Sequence, residues 1–426
     1  GANKLLPEDA PAHSWYRFVL SFPPHLVRKY LSEFGADEAS TVLDPFCGTG
    51  TTLVECRKRG IASIGLESNK MAFFATNVKT DWSIDPAALL ADARRVAATA
   101  EKHLEQDGIR DNPVFFSQNA SPPENLRKLP REAASLLIKG SISTLPLHKA
   151  LTLLEVIETH GKRRHAGHYK LALASALVSS IGNLHFGPEV GVGRPKQDAS
   201  VLDPWLMRVV RMCDDLRVLH ELPSAPAEVH LADARGIRAL LDRKSFDAVI
   251  TSPPYPNEKD YTRTTRLESV LLGLLTSRKD LRSMKESFIC SNTRNAYKRS
   301  DDDEHVAENP VVERIAQRIE ARRQELGKTS GFERLYPRVT RLYFGGMKKH
   351  LSQLRALLRP SAMLAYVVGD QASYLQVMIR TGEILAEIAE SLGYRFLRRD
   401  LFRTRWATGT KQELREEVLV LEWPGP

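Results

Sequence analysis

The 426-residue chain has only four cysteines, Cys47, Cys56, Cys213 and Cys290, and none stands at a Cys-x-x-Cys spacing. A disulfide framework and a structural zinc site are therefore not expected, and a reducing compartment fits best. No apolar run approaches the ~18 residues that a membrane-spanning helix needs. Residues 1–11 lack a charged start followed by an apolar stretch, so no signal peptide is expected and a cytoplasmic setting is. Internal repeats and extended low-complexity tracts are missing as well. What the chain does have is 42% hydrophobic and 27% charged residues, the balance of a globular protein. Lysine and arginine number 61 against 52 acids, a net charge of +9, which favours an anionic partner and nucleic acid first.

Residues 22–35 read as a short helix, with proline at its start, Leu26, Val27, Tyr30, Leu31 and Phe34 at helical spacing, and Gly35 after its end. A buried strand (41–44), a glycine turn, a helix (51–59) and a second strand (62–67) follow, which is one βαβ unit. Residues 69–224 are mostly helical in pattern, with helices expected over 86–104, 131–138, 149–158 and 169–181. Strands resume at 228–233 and 246–250. A mixed stretch, 256–360, contains the acidic run 301–304, read as a solvated loop. A strand (363–368), a helix (376–392) and two last strands (394–403 and 417–423) close the chain. The fold class expected is α/β, a doubly wound Rossmann-like sheet interrupted by insertions. Three segments result: 1–80 with the glycine turn, a helical insertion over 81–226 that is a candidate for recognising a nucleic-acid target, and 227–426 with an insertion at about 256–360 that is a candidate nucleic-acid contact.

The turn Asp44-Pro45-Phe46-Cys47-Gly48-Thr49-Gly50-Thr51-Thr52 lies between strand and helix, where open α/β sheets bind ligands. Glu67 ends the next strand, where dinucleotide-type folds hold a carboxylate for ribose hydroxyls. Leu53 stands where a third glycine would pack helix on strand, which disfavours NAD, and no Gly-Lys-Ser/Thr follows, which excludes a triphosphate loop. An adenosine ligand without pyrophosphate remains. S-adenosylmethionine meets that description, with Asp44 and the turn amides at its amino acid end and Phe46 against its adenosine. The bland alternative is a tight turn with a core glycine pair. The segment resembles motif I of the amino-type DNA methyltransferases. Phe22-Pro23-Pro24 and the helix it opens resemble that family's motif X, which packs by the cofactor's methionine end.

The strand at 246–250 runs into Thr251-Ser252-Pro253-Pro254-Tyr255. Two prolines cannot continue a sheet ladder and hold the backbone extended and rigid. An exocyclic base amine is a poor nucleophile because its lone pair is delocalised into the ring, and attack on a sulfonium methyl requires the nitrogen to pyramidalise. Ser252 Oγ and a neighbouring carbonyl, that of Pro253, are candidate acceptors for its two hydrogens. Tyr255 is a candidate to stack on a base taken out of the duplex. The segment resembles motif IV of the same family, in which serine first is common among cytosine-N4 enzymes and aspartate first among adenine-N6 enzymes. Ser121-Pro122-Pro123-Glu124 repeats Ser-Pro-Pro without a preceding strand or an aromatic and reads as a loop. Val201-Leu202-Asp203-Pro204-Trp205 echoes 42–46 without the glycines and reads as a helix start.

Asp233 matches the family's carboxylate for the cofactor's adenine amino group, with Ala234 beside it, and it reads equally as the cap of the next helix. Asn257, Asp260, Tyr261 and Arg263, after the motif, are candidate base or DNA contacts. The basic stretches 162–165 and 194–196 are candidate phosphate contacts, with solvated surface the plainer reading. The resemblance implies a DNA methyltransferase acting on cytosine N4 in double-stranded DNA by base flipping, with no metal and with a cognate restriction endonuclease as companion. Two alternatives stand beside it: an N6-adenine DNA or RNA base methyltransferase, and a non-catalytic DNA-binding subunit of the same fold.

Overall fold

The computed structural model describes residues 5–16, 21–112, 125–186, 190–241, 245–407 and 412–426. The Ser-Pro-Pro copy at 121–124 lies outside them. Seven strands form one sheet: β1 (Thr41–Asp44), β2 (Ala62–Glu67), β5 (Ala227–Leu231), β6 (Phe246–Thr251), β7 (Leu358–Gly369), β8 (Arg395–Ala407) and β9 (Gln412–Trp423). A small antiparallel hairpin, β3 (Leu184–Phe186) with β4 (Val190–Val192), stands apart. The order across the sheet is β5-β2-β1-β6-β7-β9-β8. All neighbours run parallel except β9, which is antiparallel to both β7 and β8. Chain direction across the sheet reverses between β1 and β6, and open α/β sheets bind ligands outside the strand ends at such a point.

The central strands are apolar because both of their faces are covered. In β1, Val42 joins one core with Tyr30, Ile250 and Val367, while Leu43 joins the other with Phe246, Leu364 and Tyr366. The longer helices are α1 (Pro24–Glu33), α2 (Thr51–Lys58), α3 (Lys70–Lys79), α4 (Pro86–Gln106), α5 (Thr144–Thr159), α6 (Ala166–Ala176), α7 (Leu202–His220), α8 (Arg278–Glu286), α9 (Pro310–Glu325), α10 (Tyr336–Leu354) and α11 (Thr381–Ser391). Side chains set several starts: Asn69 accepts from Met71 N and Ala72 N at α3, and Asp85 accepts from Ala88 N at α4 with Pro86 in the first position. Helices α4 to α7 share one core with Val54 of α2 and with Met71 and Ala75 of α3.

Several expectations change. The helix expected over 131–138 ends at Ala134, and Leu136 packs with Ala133 on Val270, Leu275 and Met284. The helix expected from 376 starts at Thr381, because Leu375 and Gln376 have φ of 54° and 63°, outside the helical region. The acidic run is only partly solvated: Asp301 and Glu304 are exposed, but Asp302, which opens a short 3-10 helix (Asp302–Val306), is buried and pairs with Arg235 and Lys349. The mixed stretch ends in α10, whose Leu342, Phe344 and Met347 pack into the sheet core. The echo at 201–205 does start a helix, α7.

Candidate active site

One cavity of about 220 Å³ opens at the switch point and is lined from both halves of the sheet. Phe22, Pro45, Phe46, Cys47, Gly48, Thr49 and Thr51 line it from the glycine-turn side, and Glu67, Asp233 and Ala234 from the ends of β2 and β5. Ser252, Pro253, Pro254, Tyr255, Asn257 and Tyr261 line it from the far side. Strand pairing explains the meeting: Val42 and Leu43 sit beside Ala248 and Val249, so the turn after β1 and the segment after β6 emerge together.

The glycine turn is held from below. Thr76 Oγ1 donates to the Gly48 carbonyl and Lys79 Nζ to that of Thr49, both at 2.8 Å. Gly50 begins α2 at φ +82°, and a Cβ there would lie 2.8 Å from Thr76 Cγ2. A Cβ on Gly48 would meet no protein atom within 4 Å, so this cavity-lining backbone is open to a ligand. The turn amides are mostly engaged within the protein, however: Phe46 N donates to Asp44, Cys47 N to the Leu66 carbonyl, Gly48 N to Glu67 Oε2 and Gly50 N to the Cys47 carbonyl.

Asp44 does not line the cavity. It is fully buried beneath the turn, where Thr251 Oγ1 donates to its Oδ1 at 2.6 Å, and burial lifts its carboxyl to about 6. With Thr52, whose hydroxyl donates to the Ile250 carbonyl at 3.1 Å, it ties the β1 turn to β6. Pro23 lines a small adjoining hollow with Ser21 and Lys79 instead of the main cavity.

Glu67 is where the sequence put it, at the end of β2. Its oxygens accept from Gly48 N at 2.8 Å and Asn69 N at 2.6 Å, and burial raises its carboxyl to about 7. Each carboxylate oxygen keeps a further lone pair for a ligand hydroxyl. Asp233 caps the following turn, as one of its readings expects, by accepting from Arg235 N at 2.9 Å, and it also lines the cavity. The Arg235 guanidinium grips the same carboxylate at 2.6 Å and is itself held by Asp302. Phe46 is set by His350 of α10, 4.9 Å between ring centroids, while His350 bonds the Ala234 carbonyl and the Tyr366 hydroxyl.

In the proline segment, Ser252 Oγ donates to the Val367 carbonyl at 3.3 Å. The Tyr255 hydroxyl donates to Glu416 Oε1 at 3.0 Å, and burial holds it protonated well above its ordinary range. Gly369 makes room for the ring, since a Cβ there would lie 2.9 Å from Tyr255 Cε2. The Tyr261 hydroxyl accepts from Tyr255 N at 3.1 Å. Asp260 does not line the cavity: its carboxylate caps Thr262 and pairs with Lys285 at 2.8 Å, with the side chain 6% exposed. Arg263 does not line the cavity. Lys196 is not free for phosphate either, because its ammonium caps the Ser180 and Gly182 carbonyls at 2.8 Å.

Sequence reasoning missed the contribution of the last hairpin, from which Phe402, Arg403, Arg405 and Glu416 line the cavity. The interleaved arginines and aromatics of 395–406 were the available signal. It missed Ser287 to Ile289 as well, for which no sequence signal stands out.

A seven-stranded sheet with one antiparallel strand, a glycine turn open at Gly48 and carboxylates ending β2 and β5 together define a Rossmann-like methyltransferase that uses S-adenosylmethionine. The donor set suits that cofactor, with acids for hydroxyl and amino groups, an aromatic wall at Phe46 and no triphosphate loop.

Residues 8–77 match the family model described as DNA methylase. The chain is 24% identical over 454 residues to the Type II methyltransferase M.BsoBI of Geobacillus stearothermophilus, covering 97% of this chain and 86% of that protein. It is 25% identical over 414 residues to the Type II methyltransferase M.AvaI of Nostoc sp., covering 92% and 80%. Among solved structures, the rRNA methyltransferase AviRa from Streptomyces viridochromogenes aligns over 100% of this chain and 96% of that one at 11% identity, with a TM-score of 0.32, too low to add to the argument. The family model and these relatives support the amino-type DNA methyltransferase family for this chain.

Proposed function

We propose that the chain methylates the exocyclic N4 of a cytosine flipped out of double-stranded DNA. The observation that carries this reading is that Ser252-Pro253-Pro254-Tyr255 shares one cavity with Gly48 and Glu67, so a target amine and the cofactor can meet there. S-adenosylmethionine supplies an electrophilic methyl group on its sulfonium when bound. Glu67 would hold its ribose hydroxyls, Asp233 its adenine amino group and Phe46 a face of its adenosine, while Phe22, Thr49 and Thr51 border its amino acid end.

The remaining work falls to the proline segment. The Ser252 hydroxyl donates to the Val367 carbonyl, and its oxygen can in turn accept an amine hydrogen. The Pro253 carbonyl is the second acceptor. Holding both hydrogens favours the pyramidal nitrogen over the planar one, which is where the barrier to attack lies. Tyr255, fixed through its hydroxyl by Glu416, offers a ring whose position is set before the base arrives. Asn257 and Tyr261 border the same side and are the remaining base contacts.

Serine at the head of the segment favours cytosine over adenine. Target recognition is assigned to the 81–226 insertion together with the 256–360 stretch, and a restriction endonuclease is the expected companion, the Type II label of the relatives supporting the latter. Nucleoside mass spectrometry on DNA from a methylation-free host expressing the chain tests the reading, with Ser252→Ala as control. N4-methylcytosine that disappears in the variant supports it, N6-methyladenine replaces the base and keeps the mechanism, and unmodified DNA overturns it.

A further inference from the structure

Strand β8 carries five arginines, and four of them are neutralised within the protein. Arg395 pairs with Glu422 at 3.0 Å, Arg398 with Glu33 at 2.6 Å, Arg399 with Glu383 at 3.0 Å, and Arg403 with Glu416. Arg405 pairs with no carboxylate among the described residues. Its polar contact is a long one, 3.4 Å from Nη2 to Gln371 Oε1. Yet Arg405 lines the active-site cavity and is exposed. Its place is the target side: the neighbouring Arg403 reaches Glu416, and Glu416 accepts from the Tyr255 hydroxyl.

A solvated cation with no carboxylate partner costs little, but one at the rim of a cavity is positioned for an anion that arrives with the substrate. A nucleotide turned into the cavity leaves its sugar-phosphate backbone at the rim. A guanidinium there can take two phosphate oxygens at once. We propose that Arg405 is the positioning residue for a backbone phosphate beside the flipped nucleotide. The proposal rests on the DNA-methylating reading above. The competing anion, the carboxylate of the cofactor, belongs with Phe22, Thr49 and Thr51, which line the cavity from the glycine-turn side.

The test uses the full chain with Arg405→Ala and Arg405→Lys, first establishing that the wild type binds and methylates a duplex. Absent binding or methylation by the wild type overturns the methylation reading itself and is distinguishable from failure of this proposal. Duplex affinity is measured by fluorescence anisotropy across a salt series, cofactor affinity by calorimetry, and turnover in steady state. Arg405→Ala is expected to raise KM for duplex about tenfold with kcat within about twofold, and to reduce the slope of log K against log salt by about 0.9. Arg405→Lys should restore much of the slope and part of the KM, while cofactor affinity stays the same in both. A fall in cofactor affinity with an unchanged salt slope would reassign Arg405 to the cofactor's carboxylate and overturn the proposal, as would no change in either.

Discussion

The Glu67 carboxylate accepts two backbone N–H bonds while lining the cavity, and burial lifts it from 4.5 to about 7. A raised acid binds its proton more tightly folded than unfolded. Its stabilising contribution is therefore full below about 4.5 and is lost as pH rises through about 7. Cofactor hydroxyls donate to the ionised form, so binding should expel a proton. Affinity for S-adenosylmethionine is expected to climb between about pH 6 and pH 8, with proton release visible in calorimetry across buffers of different ionisation enthalpy. Glu67→Gln should flatten that dependence, and Glu67→Ala should weaken binding about 10- to 100-fold, the scale of a charged hydrogen bond. Ser252→Ala should instead lower kcat about 100-fold or more with cofactor affinity retained, since its acceptor acts on the target nitrogen. Equal losses of affinity in the Ser252 and Glu67 variants would separate neither role and would refute both.

Elements around the site are braced by residues that never touch it. Asp302 lies against α10 so closely that a Cβ on Gly345 would fall 1.8 Å from its carbonyl oxygen, and it holds Arg235, which holds Asp233. Gly345→Ala must push that segment away. The expected cost is about 1–3 kcal/mol of stability, read from denaturant unfolding, together with weaker cofactor binding through a loosened Asp233. Gly50→Ala combines an unfavourable φ of +82° with a contact of 2.8 Å to Thr76. It should lower stability by about 1–3 kcal/mol and disturb the turn. A Gly345→Ala protein with unchanged cofactor affinity would show that Arg235 orients Asp233 without help from Asp302.

At the scale of the whole molecule, the helical insertion and the cofactor half share a core. Trp205 of α7 is fully buried, donates to the Tyr169 carbonyl at 3.0 Å, and belongs to the cluster that includes Val54, Met71 and Ala75 beside the glycine turn. Trp205→Ala should cost about 3–5 kcal/mol. Calorimetry should find one unfolding transition for both regions, raised as a unit by S-adenosylmethionine; two transitions, only one of them cofactor-sensitive, would mean that the insertion folds apart. The sequence by itself determined the parts governed by local chemistry. The apolar strands, the glycine turn, the proline break after β6 and the acid ending β2 each follow from what neighbouring residues permit the backbone to do, and all stand at their expected places. Tertiary structure decided which polar side chains remain open to a ligand. Asp44 and Asp260 read as site residues, but Thr251 and Lys285, 207 and 25 positions away, take up their carboxylates, whereas Arg405, on a strand read only for its pattern, is left with no carboxylate partner among the described residues at the cavity rim. A carboxylate or guanidinium is recruited by whichever opposite group the fold brings within about 3 Å, and sequence spacing does not encode that distance.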